Sequence, residues 1–417
     1  MEQAQSPRRL GLAPPSSPTE YASATVAGAA RALDELVRTG AAQAVNDDGD
    51  DAVPPGVGGW VRAFALHPID APLPRRTASH GDGEWRVLAP EGHPLAEPLK
   101  AALAEGGAGS GVAVCLPADA DERHLGLLLE GARAVLEGAP RFLLAQHGGG
   151  AAAFARSLAL EAPHATVCIL HLPEGVPEAA RWAVDELRAA TAFTEAHYDA
   201  SGRRTVERLR LAHPAPGEAP ALGARDVLLA TGGGKGITAE CALALALDSG
   251  ASLALFGKSL PAEDAEVAAN LERFAAAGVR ALYFAADLAD AAAVERAVRA
   301  ATAALGPVTA VLHGAAVNVP RLISSLDEDA IRATLAPKVD GLRNVLAALD
   351  PGAVRLVAAF GSIIARTGMP GSAAYALANE WLARVDSPAA VGDTVELGVR
   401  VGSLYLFDPR TGEVIAH

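Results

Sequence analysis

Three stretches, "LAPKVDG", "AAFGSIIARTG" and "AAYALANEWL", contribute Lys338, Ser362, Tyr375 and Asn379, a set whose residue types suit the reduction of a carbonyl. That chemistry requires a proton donor beside the developing alkoxide, a second donor that polarises the carbonyl, and a positive charge that eases proton release. Tyr375 supplies the first, Ser362 the second and Lys338 the third. An ammonium near a phenol favours its ionised form, so Lys338 is expected to make Tyr375 a readier donor. Tyr375 and Asn379 stand four residues apart. On a helix they share one face, where Asn379 could orient Lys338 or a water that relays the proton.

Such a set needs a source of reducing equivalents, and the stretch "TGGGKGIT" (Thr231 to Thr238) is the candidate cradle for one. It is not a P-loop: Leu229 stands six positions before Lys235 where a glycine is required, and Gly236 takes the place of the magnesium-binding hydroxyl. A short apolar run, closely spaced glycines and a helix-like "ITAECALALAL" read instead as the strand, turn and helix that open a Rossmann unit. Gly232, Gly234 and Gly236 let the backbone approach a pyrophosphate, with Thr238 in the place of a final glycine. Gly233, Lys235 and Ile237 belong to the same turn. The second strand ends in "LALFGKS", where Lys258 and Ser259 stand in place of a ribose-binding acid, which favours a 2′-phosphate and so NADPH. Asp287 and Leu288 follow the third strand, as adenine contacts or a helix cap, and His313, Gly314 and Ala315 close the fourth.

The surrounding pattern places these residues. Strands are expected at "DVLLA", "SLALFG", "ALYFAA", "VTAVLHG" and "VRLVAAFGS", with helical periodicity between them, which is a doubly wound parallel sheet with right-handed crossovers. Gly232, Lys258, Asp287, His313 and Ser362 then fall on its one carboxyl edge. Upstream, "WRVLAP", "GVAVCLP", "RFLLAQ" and "ATVCILHLP" alternate with alanine-rich segments, a second α/β unit that lacks a glycine fingerprint. The expected layout is a flexible N-terminal segment over residues 1–57 with one helix in it, and a structural Rossmann-like unit over 58–215. A proline-rich connector, a catalytic unit over 224–385 and a β-rich tail over 386–417 follow. A formal net charge of −14 over 417 residues disfavours nucleic acid and anionic membranes as partners. Cys115, Cys168 and Cys241 are widely separated in apolar runs and read as buried thiols, with no metal role, in a reducing cytoplasm. No signal core or membrane-spanning run is apparent in the sequence.

Taken together, residues 226 to about 385 resemble the catalytic half of a polyketide-synthase ketoreductase, within the short-chain dehydrogenase/reductase superfamily. The telling feature is Tyr375-x-x-x-Asn379 with an earlier lysine, where ordinary members carry Y-x-x-x-K. "TGGGKGITAECALALA", "LAPKVDGLRNVLAALD" and "YALANEWLARV" are similar above all to ketoreductases of enediyne synthases and, more distantly, of polyunsaturated fatty acid synthases. "FARSLALEAPHATVCILHLP" resembles their cofactor-free structural subdomain. The resemblance implies NADPH-dependent reduction of a β-ketoacyl chain, carried on the phosphopantetheine arm of an acyl carrier protein, in company with other synthase domains. It leaves the product's hand open, since "HGAAVNVP" has Asn318 and Val319 in place of an L-D-D loop and no tryptophan precedes Tyr375 in the alternative position. Separately, Ala316 stands where a glycine is usual and adds a methyl near the nicotinamide pocket. The tail resembles the small β-rich TOBE module of sugar-importing ABC transporters, or adds a sheet strand. Two other readings stay open: an impaired nucleotide-binding or scaffolding remnant without a substrate lid, and a stand-alone dehydrogenase acting on a free ketone.

Overall fold

A computed structural model describes residues 64–73, 80–105, 107–211, 222–385, 406–407 and 414–416. The N-terminal segment with its expected helix, and most of the tail, lie outside the described residues. The chain divides into two compact units. One comprises Pro68–Arg208 and Pro220–Val395 and holds the two α/β layers; the other comprises Met1–His67, Leu209–Ala219 and Glu396–His417. In the latter, Leu406–Phe407 pairs antiparallel with Val414–Ala416.

The upstream segments form a seven-stranded sheet. Its strands are β1 (Phe64–Asp70), β2 (Asp82–Leu88), β3 (Gly109–Leu116), β4 (Arg141–Gln146), β5 (Thr166–His171), β6 (Thr194–Tyr198) and β7 (Arg204–Leu211), in the order β1-β7-β6-β5-β4-β3-β2. β2 to β6 pair in parallel and β7 runs antiparallel to β6. Strands buried on both faces need no alternation of polar residues, which is why "VAVCL" and "FLLA" read as unbroken apolar runs. Helices α1 (Ala96–Glu105) and α4 (Ala179–Ala189) cover one face. Helices α2 (Leu125–Leu136) and α3 (Ala152–Glu161) cover the other.

The downstream segments form a five-stranded parallel sheet of β8 (Val227–Thr231), β9 (Ser252–Gly257), β10 (Ala281–Ala285), β11 (Ala310–His313) and β12 (Leu356–Ala359), in the order β10-β9-β8-β11-β12. All five expected strands are present. The order reverses between β8 and β11, so the crevice at their carboxyl ends is the topological switch point at which such sheets bind ligands. Helices α5 (Gly236–Ser249), α6 (Ala265–Ala276), α7 (Ala291–Leu305), α8 (Glu328–Leu335), α9 (Gly341–Ala348), the short α10 (Ile364–Thr367) and α11 (Ala373–Leu382) complete the layer. Between α8 and α9, residues Ala336–Asp340 take a π-helical turn. One apolar core joins the layers: Phe154 and Leu158 of α3 pack with Leu377 and Trp381 of α11, and with Ile331 and Leu335 of α8. The helix that carries Tyr375 is therefore seated on the upstream layer.

Candidate active site

The glycine turn closes as its residues require. Gly232 has φ +68 and Gly236 φ +60, a region that favours glycine. A Cβ on Gly233 would stand 2.8 Å from Ala230, and one on Gly234 2.9 Å from Tyr283, so both are pressed against the sheet. A Cβ on Gly236 would meet nothing within 4 Å, so the turn faces open space there. α5 begins at this point and offers its first N–H groups and positive dipole end. Glu266 Oε1 accepts from the Gly236 amide at 3.1 Å, Lys235 pairs with Asp264 at 2.7 Å, and Ile237 is exposed. Thr238 fits in place of a third glycine because Gly314 makes room: a Cβ on Gly314 would lie 1.9 Å from Thr238 Oγ1.

At the ribose end, Lys258 and Asp287 form an exposed ion pair at 2.8 Å. The hydrogen bond with Asp287 raises the Lys258 ammonium above its usual range and lowers the Asp287 carboxyl. Asp287 Oδ1 accepts from the Ala289 amide, while Asp290 caps α7, so the capping alternative for Asp287 is not what forms. Ser259 is held through its carbonyl, which accepts from the Tyr283 hydroxyl at 2.8 Å. Leu288 is buried; its carbonyl accepts from Asn344 at 2.8 Å.

His313 differs from expectation. Its ring is fully buried and both nitrogens are engaged, so the side chain offers a cofactor nothing. Nε2 lies 2.9 Å from the Lys338 carbonyl, which can only accept, so Nε2 carries the proton; Nδ1 then accepts from the Thr231 hydroxyl at 2.8 Å. Burial holds this imidazole neutral, with its pKa lowered to about 4. The Thr231 oxygen accepts in turn from the amides of Gly314 and Ala315, at 3.2 and 3.3 Å. Thr231, which the sequence did not single out, thus starts a continuous chain from the glycine turn to the backbone of Lys338. A hydroxyl at the last position of a fully buried strand was the available signal.

Lys338 itself is 1% exposed. The π-turn carries it inward, where its ammonium donates to the Phe360 carbonyl at 2.9 Å and stands 5.4 Å from the centre of the Tyr375 ring. Burial lowers its pKa from 10.5 to about 8, which leaves it mostly charged at neutral pH. Phe360 stands two residues before Ser362, so one ammonium ties the turn after β12 to the face of Tyr375. Ser362 is partly exposed, its hydroxyl accepting from the Ile364 amide at 3.4 Å. Asn379 does share the face of α11 with Tyr375, but its amide donates to the Tyr375 carbonyl at 2.7 Å, and no bond to Lys338 forms. Asn379 Oδ1 is buried without a hydrogen-bond partner among the described residues. The upstream unit does hold a glycine cluster, Gly148 to Gly150, at the β4–α3 turn. It serves packing, with the Trp381 indole donating to the Gly150 carbonyl at 2.5 Å.

The family model that matches this chain is the KR domain, over residues 227–391. The similarity to that family is confined to these residues, less than half of the chain. The match coincides with the five-stranded layer and the Lys338, Ser362 and Tyr375 constellation. Among curated proteins, a phenolphthiocerol/phthiocerol polyketide synthase component of Mycobacterium tuberculosis is 32% identical over 168 residues, 40% of this chain and 8% of that protein. A polyunsaturated fatty acid synthase component of Thraustochytrium is 35% identical over 121 residues, 29% of this chain and 4% of that protein. The chain thus spans less than a tenth of these relatives. Two solved structures show the shared fold. The first ketoreductase of the tylosin synthase has a TM-score of 0.62 at 20% identity, covering 76% of this chain and 77% of the other. The ketoreductase from the first module of phoslactomycin biosynthesis in Streptomyces scores 0.61 at 22% identity, with 76% of each chain covered. The two layers thus share their fold with these ketoreductase structures, and the sequence similarity to these two synthases lies within 40% of the chain or less. Cys115 and Cys168 are buried thiols as expected, each pushed by burial to about 12, and Cys241 is partly buried. Among the described residues no helix is long and apolar enough to cross a membrane.

Proposed function

We propose that this protein reduces a β-ketoacyl group to the β-hydroxyacyl product with NADPH, the acyl chain being carried on an acyl carrier protein in polyketide biosynthesis. The observation that carries the reading is the buried Lys338 ammonium over the Tyr375 ring, fixed by the same network that shapes the glycine turn. The residues present fit a dinucleotide. Gly236 opens outward at a helix N-terminus, where Glu266 now occupies the amide that a diphosphate would take. Lys258, its exposed partner readily displaced by a phosphate, would hold the 2′-phosphate with Ser259 and Lys235.

Bound there, the reduced nicotinamide supplies the hydride that the carbonyl carbon requires. Ser362 donates to the ketone oxygen and polarises it. Tyr375 gives its hydroxyl proton to that oxygen as charge builds, and the Lys338 ammonium stabilises the phenolate left behind. Asn379 Oδ1, a free acceptor beside them, can hold the water through which the proton is replaced. The upstream layer over 58–215 serves as the structural subdomain and residues 224–385 as the catalytic one.

The test is Tyr375→Phe, assayed with NADPH and a β-ketoacyl thioester surrogate. Removing the proton donor should lower turnover at least about a hundredfold while leaving NADPH affinity within about twofold. Unchanged turnover sinks the reading. A wild-type protein that binds NADPH and reduces no ketone is the outcome in favour of a nucleotide-binding remnant.

A further inference from the structure

Helix α3 of the upstream layer reaches the candidate site with three side chains. Its side chains Arg156, Ser157 and Glu161 all reach the segment between Ser362 and Tyr375. Arg156 donates from its guanidinium to the carbonyl of Ala365. Ser157 Oγ accepts from the Met369 amide at 3.3 Å. Glu161 accepts twice, from the amides of Gly371 and Ile323, each at 2.8 Å. One carboxylate thus pins the loop after β11 to the loop that leads into α11, and the Arg321 amide joins the same loops by donating to the Gly371 carbonyl at 2.8 Å. Gly368 completes the seat: with φ +68, a Cβ there would stand 2.6 Å from the Arg156 carbonyl carbon. At the other end of α3 the Ala153 amide donates to Glu380, next to Asn379, at 2.7 Å.

Arg156 is itself locked. Glu195 accepts from its guanidinium at 2.8 and 2.5 Å and from His171 Nε2 at 3.0 Å. Burial alone would raise the Glu195 carboxyl, but the bonds from His171 and Arg156 outweigh it and hold it at about 2. His171, Glu195 and His197 have the residue types of a metal site. Both Glu195 oxygens are already taken by a cation, however, and the two imidazoles are stacked, 7° from parallel, so their lone pairs do not converge on a point. The cluster works as a brace.

We propose that Glu161 and Arg156 are positioning residues for carbonyl reduction: they act through the backbone of residues 323 and 365–371 to set where Ser362 stands relative to Tyr375. This rests on the reading of Ser362 and Tyr375 given above. A hydrogen bond between two fixed amides and one carboxylate defines a loop position to a fraction of an ångström, the precision on which near-attack geometry depends. Neither residue lies near the glycine turn, so the brace governs turnover and leaves cofactor affinity alone.

The experiment compares the full chain with Glu161→Gln and Arg156→Lys. Glutamine keeps the shape of Glu161 but has one acceptor oxygen for two amides. Hydrogen exchange of peptides covering 362–371 should quicken about tenfold in either variant, with peptides over 227–260 unchanged. Turnover, counted per NADPH-binding site so that loss of folded protein does not register, should fall at least about tenfold at constant NADPH affinity. Unchanged exchange, or faster exchange with unchanged turnover, overturns the proposal. If the wild-type protein reduces no ketone, the proposed function fails while the exchange measurement still decides the brace. Should Glu161→Gln not fold, Arg366→Gln, which removes only the partly exposed 2.9 Å pair with Glu207, reads the same segment.

Discussion

Replacing the buried lysine by an apolar residue of similar length should make the protein more stable and less active. The Lys338 pKa falls from 10.5 to about 8 through burial. At about 1.4 kcal/mol per unit, the folded state bears roughly 3 kcal/mol of destabilisation while the group is charged. Lys338→Met removes it and leaves the Phe360 carbonyl without its donor, which costs about 1 kcal/mol. The net expectation at pH 7 is a variant more stable by about 2 kcal/mol, with reductase activity lost. The sign depends on pH. A base whose folded pKa is depressed destabilises fully below that folded value, here about 8, and the penalty fades as pH rises toward 10.5, where the unfolded chain also loses its proton. Between pH 7 and 9.5 the wild type should therefore recover about 2 kcal/mol and the advantage of Lys338→Met should nearly vanish. Urea unfolding of both proteins at the two pH values, followed by tryptophan fluorescence, measures this. A variant less stable than wild type at pH 7, or a difference that does not move with pH, refutes the reasoning.

Two further substitutions probe the cofactor crevice. Lys258→Ala should weaken NADPH binding about tenfold and leave NADH binding unchanged, because the exposed ammonium distinguishes the cofactors only by the 2′-phosphate; a fluorescence titration with each checks it. Gly314→Ala places a Cβ 1.9 Å from Thr238 Oγ1 and should lower stability by about 3 kcal/mol in thermal unfolding. Adding Thr238→Gly should recover more than half of that loss, and a strictly additive pair would disprove the steric pairing.

The strands of the five-stranded sheet were legible because parallel strands buried on both faces are short apolar runs, and "LLA", "LALF" and "VLH" can be little else. The turn at Gly232 to Gly236 was legible from its glycines taken together with Lys258 at the end of the next strand. What the sequence did not disclose depends on which way a side chain turns. Nothing local separates a lysine that enters solvent from one that a π-turn carries inward. His313 lies on the expected edge, but only the approach of the Lys338 backbone turns it from a ligand contact into a strut. The Lys258 and Asp287 pairing, and Asn379 bonding its own helix, likewise arise from tertiary neighbours outside the local pattern. Gly148 to Gly150 shows the converse. Its last glycine is packed, a Cβ on Gly150 meeting Gln146, Ala120 and Leu116 with the Trp381 indole on its carbonyl, whereas Gly236 faces open space.

The places where this chain breaks ordinary folding preference converge on a single point. A fully buried ammonium, a π-turn in place of an α-turn, a neutral imidazole with both nitrogens committed, and an asparagine oxygen left without a partner all lie around Tyr375. Each is costly on its own, and a core built only for stability would replace Lys338 with leucine or methionine. The surrounding packing makes such an arrangement possible, because α11 is held by the α3 platform on one side and by the β11–β12 edge on the other. With Lys338 fixed at both its carbonyl and its ammonium, its charge cannot relax toward water and must act on what lies beside it. The side chain beside it is Tyr375. A buried charge that stabilised nothing would lower stability without return; under the proposed reduction its return is the stabilisation of charge that develops on the tyrosine oxygen.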